Sequence, residues 1–142
     1  MSKVAIVYWS GTGNTETMAN LIAEGALGAG AQVDLYTASD FTPELADGYP
    51  VIAFGCPAMG SEQLEETEFE PMFTAVKPKL NGKGIALFGS YSWADGEWMR
   101  IWTQDCEGAG LRLVADPVTA YDAPDADASE ACRELGRKLA AG

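Results

Sequence analysis

A chain of 142 residues, 47 % hydrophobic and 21 % charged, carries enough apolar mass for the core of one domain spanning residues 1–142. Its formal net charge is −12, and from Val4 to Val76 it has eleven acidic residues and neither Lys nor Arg, which excludes nucleic acid and acidic membrane surfaces as partners and favours basic proteins. It contains no histidine, so His-based acid–base chemistry, a Ser-His-Asp triad and a His metal site are excluded. Cys56, Cys106 and Cys132 have neither metal-ligand spacing nor an even-numbered framework and read as reduced thiols.

Five apolar, β-branched runs read as buried strands: Lys3–Trp9, Ala31–Thr37, Val51–Gly55, Gly84–Gly89 and Leu111–Pro117. Helical patterns alternate with them over Asn14–Leu27, Glu65–Val76, Gly96–Gly108 and Ser129–Ala140, with a short turn at Pro43–Ala46. Alternation along the whole length predicts an α/β fold with a parallel sheet covered by helices on both faces. In such sheets ligands bind outside the carboxyl ends of the strands, near the point where strand order reverses. The longest charge-free run, Gly48–Ser61, is too short and too broken by Gly and Pro to span a bilayer. The apolar run after Lys3 ends in a glycine loop and not a cleavage site, so a cytoplasmic protein without membrane contact is expected.

The loop after the first strand, Ser10-Gly11-Thr12-Gly13-Asn14-Thr15, runs straight into a helical pattern. A Walker loop would need Gly-Lys-Ser/Thr where Asn14 follows Gly13, and the dinucleotide fingerprint would need glycine where Glu16 stands. A phosphorelay receiver would show paired acids after the first strand and a lysine after the fifth. What remains is a lysine-free anion cradle. Backbone N–H groups, the positive end of the following helix and the hydroxyls of Ser10, Thr12 and Thr15 supply its donors.

Two further loops add large soft or aromatic side chains beside small residues: "GCPAMGSE" (Gly55–Glu62) after the third strand and "FGSYSWADGEWM" (Phe88–Met99) after the fourth. With "YWSGTGNTE" (Tyr8–Glu16), these motifs resemble, in order and spacing, the short-chain flavodoxins of the clostridial type. The resemblance implies a flavodoxin-like doubly wound five-stranded parallel sheet of order 2-1-3-4-5, with bound FMN. It implies that Ser10, Thr12, Gly13, Asn14 and Thr15 hold the FMN 5′-phosphate together with Ser90, and that the ring lies between Met59 and Trp93. By the same likeness Glu62 accepts from the flavin N3–H, and Gly60 supplies the carbonyl that meets N5–H after reduction. Gly11, Pro57, Ala58, Tyr91, Ser92 and Gly96 complete the cofactor-binding loops. Ser92 and Ser61 depart from the family pattern, which has glycine and often an acid there.

The implied activity is that of a low-potential one-electron carrier and not an enzyme, cycling mainly between semiquinone and hydroquinone. An FMN-dependent quinone or azo reductase of the same fold is the alternative, and a flavin-free binding module a further one. Glu62, Glu65, Glu66, Glu68 and Glu70 cluster after the second loop, and such nearby acids disfavour further negative charge on the ring. The expected partners are basic reductases and acceptor enzymes docking on this acidic face of a monomer. Trp98 and Trp102, one helical turn apart, read as core packing, and Cys56 as a small buried apolar residue. Trp9 is left open between capping the site and packing beside it, as is any cofactor contact of Tyr121 and Asp122.

Overall fold

The computed structural model describes residues 3–11, 13–59, 64–91 and 96–141. Its centre is a parallel sheet in the order β2-β1-β3-β4-β5. The strands are β1 (Lys3–Tyr8), β2 (Gln32–Thr37), β3 (Val51–Gly55), β4 (Gly84–Tyr91) and β5 (Arg112–Leu113), with β6 (Val118–Tyr121) also paired to β4. The helices are α1 (Asn14–Gly28), the single turn α2 (Pro43–Ala46), α3 (Phe69–Val76), α4 (Glu97–Gly108) and α5 (Ala126–Ala141). None of the described helices is long and apolar enough to cross a membrane.

The twofold period of the strands sorts their side chains into two cores. Val4, Ile6, Ala53, Ala86 and Phe88 face α1 and α5, where they meet Met18, Ile22, Leu135 and Leu139. The alternate residues Ala5, Val7, Ile52, Phe54, Ile85 and Leu87 face α3 and α4, meeting Phe69, Phe73, Trp98 and Trp102. β1, β3 and β4 are buried on both sides, which is why they read as unbroken apolar runs.

Three elements differ from expectation. The fifth strand, expected as one run over Leu111–Pro117, is two pieces: Leu113 pairs with Ile85 and Val118 with Phe88, so residues 114–117 cover the two-residue interval Ala86–Leu87 of β4. Pro117 has no N–H to give a ladder, and an edge strand tolerates such a bulge. Helix α3 begins at Phe69 and not at Glu65, because the Glu65 side chain folds back to cap it. Helix α5 begins at Ala126, upstream of the expected Ser129, with Asp125 Oδ1 accepting the Ala128 N–H at 2.8 Å.

Helices α1 and α5 cross where each has a glycine. A Cβ on Gly25 would lie 2.0 Å from the Arg133 carbonyl oxygen, and one on Gly136 would lie 2.1 Å from that of Ile22. Gly136→Ala is therefore expected to force the helices apart at a cost of about 1–3 kcal/mol, lowering the thermal midpoint by roughly 3–10 °C. Gly28→Ala, whose Cβ would meet nothing within 4 Å, is expected to hold or slightly raise the midpoint. Circular-dichroism melts of the two variants check this, and equal losses would contradict it.

Candidate functional site

Loops leave the carboxyl ends of β1, β3 and β4 side by side, and the sheet's hydrogen bonding continues into them. The Trp9 N–H donates to Gly55 O at 3.0 Å, Cys56 N–H to Phe88 O at 3.2 Å and Ala58 N–H to Ser90 O at 3.0 Å. Side chains join the first loop to the third: Thr15 and Ser90, 1 % and 4 % exposed, share a hydroxyl–hydroxyl bond of 3.0 Å. The Ser90 N–H also donates to Thr15 Oγ1 at 3.4 Å. Ser90 therefore touches both other loops.

In the first loop Ser10 Oγ accepts the Gly13 N–H at 3.0 Å. Gly13, at φ 97°, caps α1 without any side-chain hydrogen bond. This left-handed conformation suits glycine and leaves the first-turn N–H groups of α1 facing the loop. Gly96, at φ 85°, starts α4 in the same way after the third loop. Trp9 lies beside this loop: a Cβ on Gly11 would sit 3.1 Å from its Cη2, and its indole N–H donates to Glu68 at 2.9 Å. A cavity of about 460 Å³ opens here, bounded by Ser10, Gly11 and Gly13, by Trp9 and Glu68, and by Thr37–Ser39 at the end of β2. Glu16, whose carboxylate accepts the Tyr8 hydroxyl at 3.0 Å, also lines it.

The second loop is tied at its far end by Glu65, only 5 % exposed. Its Oε1 accepts the N–H groups of Glu68 at 2.8 Å and Phe69 at 2.9 Å, while Oε2 accepts the Thr67 N–H at 2.8 Å and the Thr67 hydroxyl. Its own N–H reaches Cys56 Sγ at 3.3 Å, joining the end of β3 to the start of α3. Burial alone would raise the Glu65 carboxyl, but these hydrogen bonds to the charged form outweigh it and hold it down to about 2. Burial pushes the Cys56 thiol up to about 12, consistent with an inert packing residue.

The flavodoxin family profile matches residues 6–136. The chain belongs to the flavodoxin family. It is 45 % identical to a flavodoxin of Clostridium beijerinckii over 95 % of this chain and 97 % of that one. It is 47 % identical to one from Megasphaera elsdenii, covering 96 % and 98 %. The solution structure of two-electron reduced Megasphaera elsdenii flavodoxin superposes with a TM-score of 0.91, covering 98 % of this chain and 99 % of that one. As in other flavodoxins, the cofactor is FMN and the function is electron transfer.

The donor chemistry of the flavodoxin loops fits a phosphate monoester. Ser10 Oγ accepts from Gly13, so among the described residues its own proton is left to donate. The Thr15–Ser90 pair has two hydroxyl protons and spends one between its members, leaving the other without an acceptor among the described residues. Of the residues expected to bind FMN, Ser10, Gly11, Gly13, Asn14, Thr15, Ala58 and Ser90 come together at this end of the sheet. Pro57, Met59 and Tyr91 are half-buried in the adjoining loops, and Gly96 starts α4. Thr12, Gly60, Glu62, Ser92 and Trp93 lie outside the described residues.

The acidic cluster has a second role beyond the one expected from its sequence. Glu65 is a buried cap, while Glu66, Glu68 and Glu70 are exposed and Glu68 is a partner of Trp9. The available signal was an acid placed just before a helix start, the usual station of a capping residue. A carboxyl lowered from 4.5 when folded supplies stability that is fully present above pH 4.5 and is lost as pH falls through about 2. Glu65→Gln cannot lose this charge, so between those limits its unfolding free energy should fall by about 3 kcal/mol less than that of the parent protein. Urea titrations of both proteins across that range measure the difference. Parallel curves would contradict the role given to Glu65.

Proposed function

We propose that these loops hold FMN with its phosphate on the Ser10–Thr15 turn, Thr12 included, and Ser90, and that the chain works as a low-potential one-electron carrier. The observation that carries this reading is the hydrogen bonding of Ser10 and of the buried Thr15–Ser90 pair, which among the described residues leaves each with a hydroxyl proton to give, beside the N-terminus of α1. Glu16 and Glu68 line the cavity toward β2, so a dianion is favoured on the other side of the loop, near Thr15 and Ser90. FMN, when bound, supplies an isoalloxazine ring able to accept and release electrons singly.

Met59 and Trp93 are proposed to flank that ring, with Gly60 and Glu62 at its polar edge and Pro57, Ala58, Tyr91, Ser92 and Gly96 shaping the two loops. The neutral cradle leaves the phosphate charge uncompensated, and Glu66 and Glu70 remain exposed beside the second loop. Both oppose added negative charge and so favour a low reduction potential. The same exposed acids are proposed to dock basic redox proteins, reductases and acceptor enzymes, on a cytoplasmic monomer in which residues 1–142 form one FMN-binding domain.

If the turn binds a dianion, riboflavin loses every phosphate contact. Two charge-assisted hydrogen bonds amount to about 3 kcal/mol or more, so the FMN-free protein is expected to bind FMN at least about 100-fold more tightly than riboflavin. Flavin fluorescence quenching measures both constants. Equal affinities would contradict the phosphate assignment.

A further inference from the structure

Helix α4 buries two tryptophans one turn apart, Trp98 and Trp102, at 1 % and 3 % exposure. By position they are equivalent, yet their indole N–H groups are used differently. Trp102 packs edge-on against Phe69 and Phe73, at ring-centre distances of 5.4 and 5.7 Å, and its Nε1 has no hydrogen-bond partner among the described residues. Trp98 Nε1–H donates to the carbonyl oxygen of Cys56 at 3.2 Å, in a fully buried contact.

That carbonyl stands where the sheet's ladder is diverted. Cys56 N–H still reaches Phe88 O, and Ala58 N–H reaches Ser90 O. The Ser90 N–H between them turns to Thr15 Oγ1, while the indole of Trp98 meets Cys56 O. The space for this is cleared by Gly89, whose Cβ would lie 2.2 Å from Cys56 O and 3.1 Å from Trp98 Cζ2. One backbone N–H is thus released to the phosphate end of the site, and a side chain takes its place on the second loop.

The Cys56–Pro57 peptide is also where orientation is passed on. Proline fixes its own φ near −65°, so a rotation of that peptide is not absorbed at Pro57 but carried to Ala58 and Met59. We propose that Trp98 is a positioning residue for the flavin: by holding the Cys56 carbonyl, its indole N–H sets the angle at which Pro57–Met59 leaves the sheet toward the ring. This rests on the reading that Met59 flanks the ring. Tyr91, 5.6 Å from Trp98 between ring centres, buttresses the indole from the third loop, so one side chain fixes both loops relative to each other.

Trp102 supplies the matched control, since replacing either tryptophan removes similar buried volume from the same helix. Trp98→Phe is expected to weaken FMN binding about tenfold, the equivalent of one hydrogen bond. It should also shift the flavin's visible band and reduction potential. Trp102→Phe is expected to lower the melting temperature while leaving affinity, spectrum and potential unchanged.

A second pair covers a poorly folded variant: site-specific β-(3-benzothienyl)alanine, which keeps the indole's shape but has sulfur for N–H, placed at 98 or at 102. At 98 it should reproduce the weaker FMN binding and the shifted spectrum, and at 102 it should change neither. Equal effects at the two positions, or parent-like binding and spectrum with the analogue at 98, would overturn the inference. A parent protein that binds riboflavin as tightly as FMN would instead overturn the site assignment, and this inference with it.

Discussion

In a parallel sheet each strand is held by N–H and C=O groups of its neighbours, and loops normally leave once that pairing ends. Here the pairing outlasts the regular strands. The bonds from Trp9 to Gly55, Cys56 to Phe88 and Ala58 to Ser90 run one after another across the carboxyl edge of β1, β3 and β4. The loops that carry the flavodoxin motifs therefore begin as extensions of a rigid sheet, and their relative positions follow from its register. The small residues are needed for this: at Gly55 a Cβ would lie 2.2 Å from the Phe88 ring, and at Gly89 an equal distance from Cys56 O.

Polarity is arranged with equal economy of charge. Among the residues bounding the first loop's cavity there is no base, and the loop's own hydroxyls and helix N-terminus all present donors. The acids nearby have separate tasks. Glu65 directs its charge at backbone N–H groups at the start of α3, while Glu66, Glu68 and Glu70 are exposed and Glu68 also accepts from the Trp9 indole. The three exposed acids and the buried one therefore act on their surroundings in different ways, through solvent and through a helix start.

Much of this was legible in the residues because buried parallel strands leave unbroken apolar runs: β3 over Val51–Gly55 and the start of α1 at Asn14 stand where expected. The glycine–hydroxyl turn was legible for a similar reason, as few other loops combine two glycines with three hydroxyls before a helix. What failed were features set by particular partners, some distant in the chain and some a turn away. The break between β5 and β6 depends on register against β4, and the late start of α3 depends on Glu65 folding back on residues 67–69. The i, i+4 spacing marks Trp98 and Trp102 as buried but carries no sign that one indole meets a carbonyl 42 residues earlier. The wall of the cavity at Thr37–Ser39 follows from strand order and not from any local motif.

The sheet, and not the cofactor, builds the frame of the site. Native-state hydrogen exchange on the FMN-free protein tests this at three amides: Trp9, Cys56 and Ala58. If the ladder sets the loops, these amides should be protected to within about 1 kcal/mol of core-strand amides such as Ile52 and Ile85. Exchange as fast as that of exposed turns, with protection gained only when FMN is added, would show that the cofactor assembles the loops, and would contradict this account.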